Sequence, residues 1–194
     1  MSVQQKIDLA IRASGSISIQ DFVEISNFSK KDGFYNSEEI QKIGNKGHFI
    51  TSPEISSLFG MCLTNQFLSV FSEVKKVNLI EFGPGNGYLT LDILHYLKSK
   101  KIEVQKISIL EKSNFFTREI KEKIPNAEVF NDFQNIEINP NIATFIYSNE
   151  FFDAFGSKQY IHQNKEFNEI KITKIQNEYK LVYEENLFSA HLKD

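Results

Sequence analysis

Leu79-Ile80-Glu81-Phe82-Gly83-Pro84-Gly85-Asn86-Gly87-Tyr88-Leu89 is the stretch that decides the fold: an apolar run ends in an acid and then in three glycines at alternate positions. Residues 77 to 82 read as a short buried strand, and Tyr88, Leu89, Leu91, Ile93, Leu94 and Leu97 read as a helix. The glycines therefore sit where a parallel strand hands over to its helix, the edge at which open parallel sheets bind ligands. Glycine there permits positive φ and lets a bulky ligand approach the main chain with no Cβ in the way. Exposed amides at the helix start can receive a carboxylate, an interaction of about 0.3 to 1 kcal/mol. Glu81 can answer a ligand's ammonium group directly or through water. The spacing disfavours a dinucleotide, because the G-x-G-x-x-G turn needs glycine at the position of Tyr88.

Working outward, strands alternate with helices. Ile107 to Leu110 read as a second strand ending in Glu111, Ser113 caps a helix running to Lys123, and Ala127 to Phe130 form a third strand before Asp132. Residues 143 to 148 form a fourth, with Asn149, Glu150 and Asp153 after it. That alternation implies an α/β fold with a mainly parallel sheet and right-handed crossovers. From residue 158 the pattern changes to strands over 158 to 162, 168 to 175 and 179 to 184, the last two joined at Gln176-Asn177, so this part is antiparallel. Upstream, residues 1 to 13 form a helix, and Ser18 with Asp21 makes a capping box for a second helix to about residue 28. Residues 29 to 49 lack periodicity, the mark of a functional or mobile loop. Ser52 before Pro53 starts a helix whose stripe of Ile55, Leu58, Phe59, Cys62, Leu63, Phe67 and Phe71 runs to about residue 72. These elements set the expected domain boundaries: a helical N-terminal cap and cofactor lid over 1–72, and a core with a C-terminal hairpin over 73–194.

Composition limits the function classes. A chain of 194 residues suits one core, and 41% hydrophobic with 24% charged residues is an ordinary globular balance. Twenty-two basic against 25 acidic residues leave a net charge of −3, which argues against nucleic acid as a partner. The lysines at 98, 100 and 101 read as a solvated helix end. Cys62, the single cysteine, reads as a small buried hydrophobe in a reducing compartment. His48, His95, His162 and His191 have no metal-ligand spacing, although His48 could line a cofactor mouth. No segment is apolar over the roughly 18 residues a membrane span needs, and the N-terminus lacks a signal pattern, so the expectation is cytoplasmic.

Three separated segments carry a resemblance: Phe49-Ile-Thr-Ser-Pro-Glu-Ile-Ser56, Glu81-Phe-Gly-Pro-Gly-Asn-Gly87 and Asn149-Glu-Phe-Phe-Asp-Ala154, with Gly33-Phe34-Tyr35 ahead of them. They resemble the MidA family of S-adenosylmethionine-dependent methyltransferases, which includes the mitochondrial complex I assembly methyltransferase. The family's fold is a Rossmann-like class I methyltransferase core. The resemblance implies S-adenosyl-L-methionine as cofactor, held by Glu81, Gly83, Gly85 and Gly87, with Thr51 and Ser52 beside them. Glu111 would accept hydrogen bonds from the ribose hydroxyls, and Asp132 would receive the adenine amino group or serve as a turn residue. It further implies methylation of a protein arginine, in a partner of respiratory complex I, with Glu150, Asp153 and Asn149 meeting the substrate. Paired carboxylates suit that role, since guanidinium is a planar, always protonated donor. This chain departs from the family at His48, Asn86 and Phe155-Gly156, and family members are commonly nearly twice as long. The core is therefore expected to be incomplete, and the other reading is a truncated, inactive relative acting as a binding or assembly module.

Overall fold

The computed structural model describes residues 1–44, 46–71, 73–163 and 165–185. The elements run α1 (Val3–Ser14), β1 (Ile17–Ser18), α2 (Ile19–Phe28), α3 (Ser52–Ile55), α4 (Leu58–Val70), β2 (Lys76–Phe82), α5 (Tyr88–Ser99), β3 (Glu103–Leu110), α6 (Asn114–Lys123), β4 (Glu128–Phe130) and β5 (Ala143–Ser148). They continue with β6 (Gln159–Gln163), β7 (Glu166–Ile175) and β8 (Glu178–Glu185). Two compact units emerge, one of residues 35–151 and one of residues 1–34 with the described residues from 152 to 185.

The first unit holds a parallel sheet in the order β4-β3-β2-β5. Leu79 pairs with Ile107 on one side and Phe145 on the other, and Glu81 lies in register with Ile109 and Tyr147. Side chains alternate across a strand, so Val77, Leu79, Ile107 and Ile109 share one face. Against it pack Leu89, Ile93 and Leu97 of α5 and Phe116 and Ile120 of α6, the most buried part of the unit. Burial of each such side chain contributes about 1.5 to 3 kcal/mol, and this is why the apolar runs read from sequence become strands. On the opposite face, Ile146 is 47% exposed.

The strand bounds agree with the sequence expectations to within a few residues, but the segment before β2 does not. The single helix expected from Ser52 to about residue 72 is two, because Ser56 is extended with φ −161° and ψ 138°. Its hydroxyl accepts a hydrogen bond from the amide of Leu58 at 3.2 Å, an alternative to helical pairing that serines offer the backbone. The N-cap is Thr51 rather than Ser52. Cys62, expected to be buried, is exposed. The buried positions of α4 are Gly60 and Thr64, four apart, which turns the helix face carrying Cys62 outward. Gly60 dictates this rotation, since a Cβ there would lie 2.8 Å from Cβ of Asp92 on α5.

In the second unit α1 is closed by a capping box of Ser2 and Gln5, and Ser18 caps α2 through the amide of Asp21 at 2.9 Å. β6, β7 and β8 form an antiparallel meander whose last turn places Gln176 and Asn177 at φ 50° and 68°. The two-residue β1 adds to β7 through Ile17 and Ile172, a pairing with no local signature. Ile7, Ile11, Ile17 and Ile172 make this unit's core.

Because α4 meets α5 at Gly60 without room for a side chain, Gly60→Val should lower stability by about 1 to 3 kcal/mol through overpacking. Urea unfolding of the full chain measures it, and an unchanged midpoint would show that the helices part at no cost.

Candidate functional site

The turn after β2 has the backbone its sequence demanded. Gly83, Gly85 and Gly87 have φ of 63°, 53° and 78°, the left-handed region that side chains avoid at a cost of about 1 to 2 kcal/mol. Space is restricted as well. A Cβ at Gly83 would lie 2.6 Å from the ring of Phe151, and one at Gly85 would lie 2.6 Å from Cδ1 of Ile43. The amide of Gly83 donates to the carbonyl of Leu110 at 2.9 Å, tying the turn to β3, and that of Gly87 donates to Pro84 at 2.9 Å. Gly87 is the N-cap of α5, and no side chain caps the helix's first amides. The positive end of the helix dipole therefore faces the turn without an internal acceptor.

Two acids sit at the ends of the adjoining strands. Glu81 is 2% exposed and burial raises its pKa from 4.5 to about 8, a shift opposed by the hydroxyl of Thr90 and reinforced by Glu111. Thr90, in the first turn of α5, donates to Oε2 of Glu81, and its hydroxyl lies 2.8 Å from that of Tyr147 on β5. Glu111 comes directly after β3, and burial raises its pKa to about 7 against the opposing hydrogen bonds from the amides of Ser113 and Lys112. The Ser113 amide donates to Oε1 of Glu111 at 2.6 Å. Among the described residues no ion pair involves either carboxyl. An uncompensated buried carboxylate is costly, so burial shifts both groups toward the protonated form.

The segment over 35–49, without periodicity in sequence, is wound around a buried cation that sequence reasoning did not single out. Lys42 is 2% exposed; its ammonium donates to the carbonyls of Ser37 and Ile40 and lies 3.7 Å from the ring centroid of Phe115. Desolvation lowers its pKa. This anchor puts Ile43 against Gly85. Its sequence signal was slight, a lysine in the run Ile40-Gln41-Lys42-Ile43. Asn86 donates to Oε1 of Glu54 at 2.9 Å, so the short helix that begins at Ser52 after Thr51 is fastened to the glycine turn.

The other candidates are more dispersed. Asp132 is exposed and caps a 3-10 turn by accepting from the amide of Gln134 at 3.0 Å. Phe133 in that turn stands edge-on to Phe82, whose ring is 5.7 Å from that of Phe151. Asn149 is half-buried and Glu150 exposed beyond β5, next to β2 in the sheet, and Glu150 has φ 49°. Such strain at a non-glycine residue concentrates at functional sites. Asp153 is exposed in a 3-10 turn of the other unit, Phe152–Ala154. His48, His95 and His162 are exposed, and His191 lies outside the described residues. Among the described residues no group of His, Cys, Asp or Glu could hold a metal ion, and no helix is long and apolar enough to cross a membrane.

The chain is similar to known proteins in sequence and in fold. A family model described as "Putative S-adenosyl-L-methionine-dependent methyltransferase" matches residues 62–193. Protein arginine methyltransferase NDUFAF7, mitochondrial, of Xenopus laevis is 28% identical over 172 residues, covering 74% of this chain and 39% of the relative. The Mus musculus counterpart is 33% identical over 112 residues, covering 53% of this chain and 25% of the relative. A superfamily member from Burkholderia thailandensis, crystallised with S-adenosyl-homocysteine, has the same fold with a TM-score of 0.79 at 18% identity, over 98% of this chain and 52% of that one. The chain thus spans 39% or less of these two curated relatives and about half of the solved neighbour.

The two buried acids predict a pH dependence of stability. Each has a folded pKa above its unfolded value, so its contribution is fully present below about pH 4.5 and is lost as pH rises to about 7 for Glu111 and about 8 for Glu81. The melting temperature of the ligand-free chain should fall across that window, and Glu81→Gln should remove most of the fall. Thermal unfolding at a series of pH values checks this, and parallel profiles for the two proteins would contradict it.

Proposed function

Given that this chain belongs to the family of S-adenosyl-L-methionine-dependent methyltransferases matched over residues 62–193, we propose that it binds S-adenosyl-L-methionine at the glycine turn and methylates a protein arginine. The observation that carries this reading is the pairing of three left-handed glycines with two buried acids, neither in an ion pair among the described residues, at the carboxyl edge of a parallel sheet. A dinucleotide brings an anionic pyrophosphate to such a turn, and Glu81, on the strand that enters it, would oppose that charge. A ligand with an ammonium, a carboxylate and ribose hydroxyls suits both the acids and the uncapped helix start.

When bound, S-adenosyl-L-methionine supplies an electrophilic methyl group. The chain's own residues bind, orient and desolvate. Gly83 and Gly85 keep the main chain bare, and the first amides of α5 receive the ligand's carboxylate. Glu81 meets its ammonium, and Glu111 accepts from the ribose hydroxyls. Asp132 receives the adenine amino group with the oxygen its turn leaves over, and Thr51 and Ser52 border the site through the Asn86 to Glu54 bond. Glu150 pairs with the guanidinium of the substrate and takes the proton it sheds, while Asn149 orients it. The names of the relatives support arginine as the acceptor; a respiratory complex I subunit as its bearer rests on the resemblance of the three motif segments.

Gly85→Asp should abolish measurable binding of S-adenosylhomocysteine by calorimetric titration, a loss of 100-fold or more on the order expected for a like charge and a forced φ. Retained affinity with a folded protein would show that the turn is structural only. Glu150→Gln should leave that affinity within about twofold and reduce radiolabelled methyl transfer to protein arginine by about 100-fold. Equal transfer by the variant would remove Glu150 from the reaction.

A further inference from the structure

Glu81 does not meet its surroundings alone. Tyr147 is its cross-strand neighbour in the register of β2 and β5, and Thr90 comes down on both from the first turn of α5. The three side chains are buried, with Thr90 wholly inaccessible and Tyr147 8% exposed. Among the described residues no buried side-chain nitrogen or oxygen lacks a partner. Their hydrogen-bond arithmetic is restrictive. A hydroxyl has one proton, and Thr90 gives its own to Oε2 of an ionised Glu81. The contact of 2.8 Å between the hydroxyls is then filled by the proton of Tyr147. The chain runs Tyr147 to Thr90 to Glu81, two donors in series aimed at a carboxylate. When Glu81 carries a proton, it can donate to Thr90 instead, and the whole chain reverses.

We propose that Thr90 and Tyr147 are positioning residues for cofactor recognition, a relay of hydroxyls that orients the Glu81 carboxyl and favours its ionised form when a cationic ammonium group enters the glycine turn. This rests on the reading of the turn as the cofactor site. The empty site holds a neutral acid, which suits its burial; the occupied site holds a carboxylate supported by two hydroxyls on one side and the ligand's cation on the other. Binding therefore releases a proton, which leaves Glu81 for solvent. The groups facing Glu81 are Glu111 from the end of β3, which opposes ionisation, Tyr147 from β5, and on α5 the neutral Thr90.

The test is calorimetric titration of the full chain with S-adenosylhomocysteine between about pH 6 and pH 10, in pairs of buffers with different ionisation enthalpies to count protons. In the natural protein affinity should rise with pH through the folded Glu81 transition near pH 8, with release of a proton below it. Thr90→Val removes the donor to the charged form, so the midpoint should move to higher pH by about one unit, with affinity near pH 7 down about 10-fold. Tyr147→Phe should move it the same way by less, Thr90→Ser should restore the original midpoint, and the double variant should match Thr90→Val because the relay is already cut. If Thr90→Val does not fold, Tyr147→Phe, which removes one oxygen, decides the matter by its midpoint. Uniformly weaker binding at every pH with the midpoint unmoved would overturn the relay while leaving the cofactor site intact. No binding by the natural protein at millimolar ligand would overturn both.

Discussion

The chain has five residues, 83 to 87, in which to leave β2 and enter α5, and three of them adopt a left-handed backbone. That constraint organises the parallel unit. Each glycine faces a different neighbour: Phe151 beyond β5 at Gly83, Ile43 of the upstream segment at Gly85, and Ile120 and Ile124 around the end of α6 at Gly87. Side chains at these positions would meet strain from the backbone, and at Gly83 and Gly85 crowding as well. The turn is thus the place where strand, helix and loop converge, with side chains of the neighbouring elements packed against its main chain.

The acids owe their position to the same placement. Glu81 and Glu111 end adjacent parallel strands, where the sheet delivers both side chains to one region. Burial makes their charged forms expensive, and the two repel one another. A fold selected only for stability would replace them with apolar residues of similar size. The proposed cationic ligand would convert this unfavourable pair of acids into a matched site. The upstream segment contributes to the same end by a different route: a desolvated Lys42, held by carbonyls and an aromatic face, fixes a stretch with no secondary structure firmly enough to set Ile43 on the turn.

Much of this was legible from the residues in order. The hand-over at Glu81 to Tyr88, the strand over 143–148, the Ser113 cap and the Gln176-Asn177 turn all depend on residues within a few positions of one another. The misreadings have a common origin. The stripe from Ile55 to Phe71 is helical in period, yet Ser56 breaks it and Gly60 rotates the rest of α4, so Cys62 faces outward although it fits the stripe. Period reports that a face exists; the covering of that face depends on Asp92, about thirty residues on. The pairing of β1 with β7 spans more than 150 residues and leaves no mark on a two-residue segment.

What the sequence by itself determined was the class of fold and the kind of turn, because backbone preference and side-chain period are local properties that glycine, proline and apolar spacing express directly. It determined that acids stand at positions 81 and 111, but not that they are buried, mutually repelling and, in Glu81, tied to the hydroxyls of Thr90 and Tyr147. Only the tertiary structure decided their protonation, since the energy of a charge depends on what surrounds it in space. Those surroundings are assembled from strands and a helix that meet only when the chain is folded.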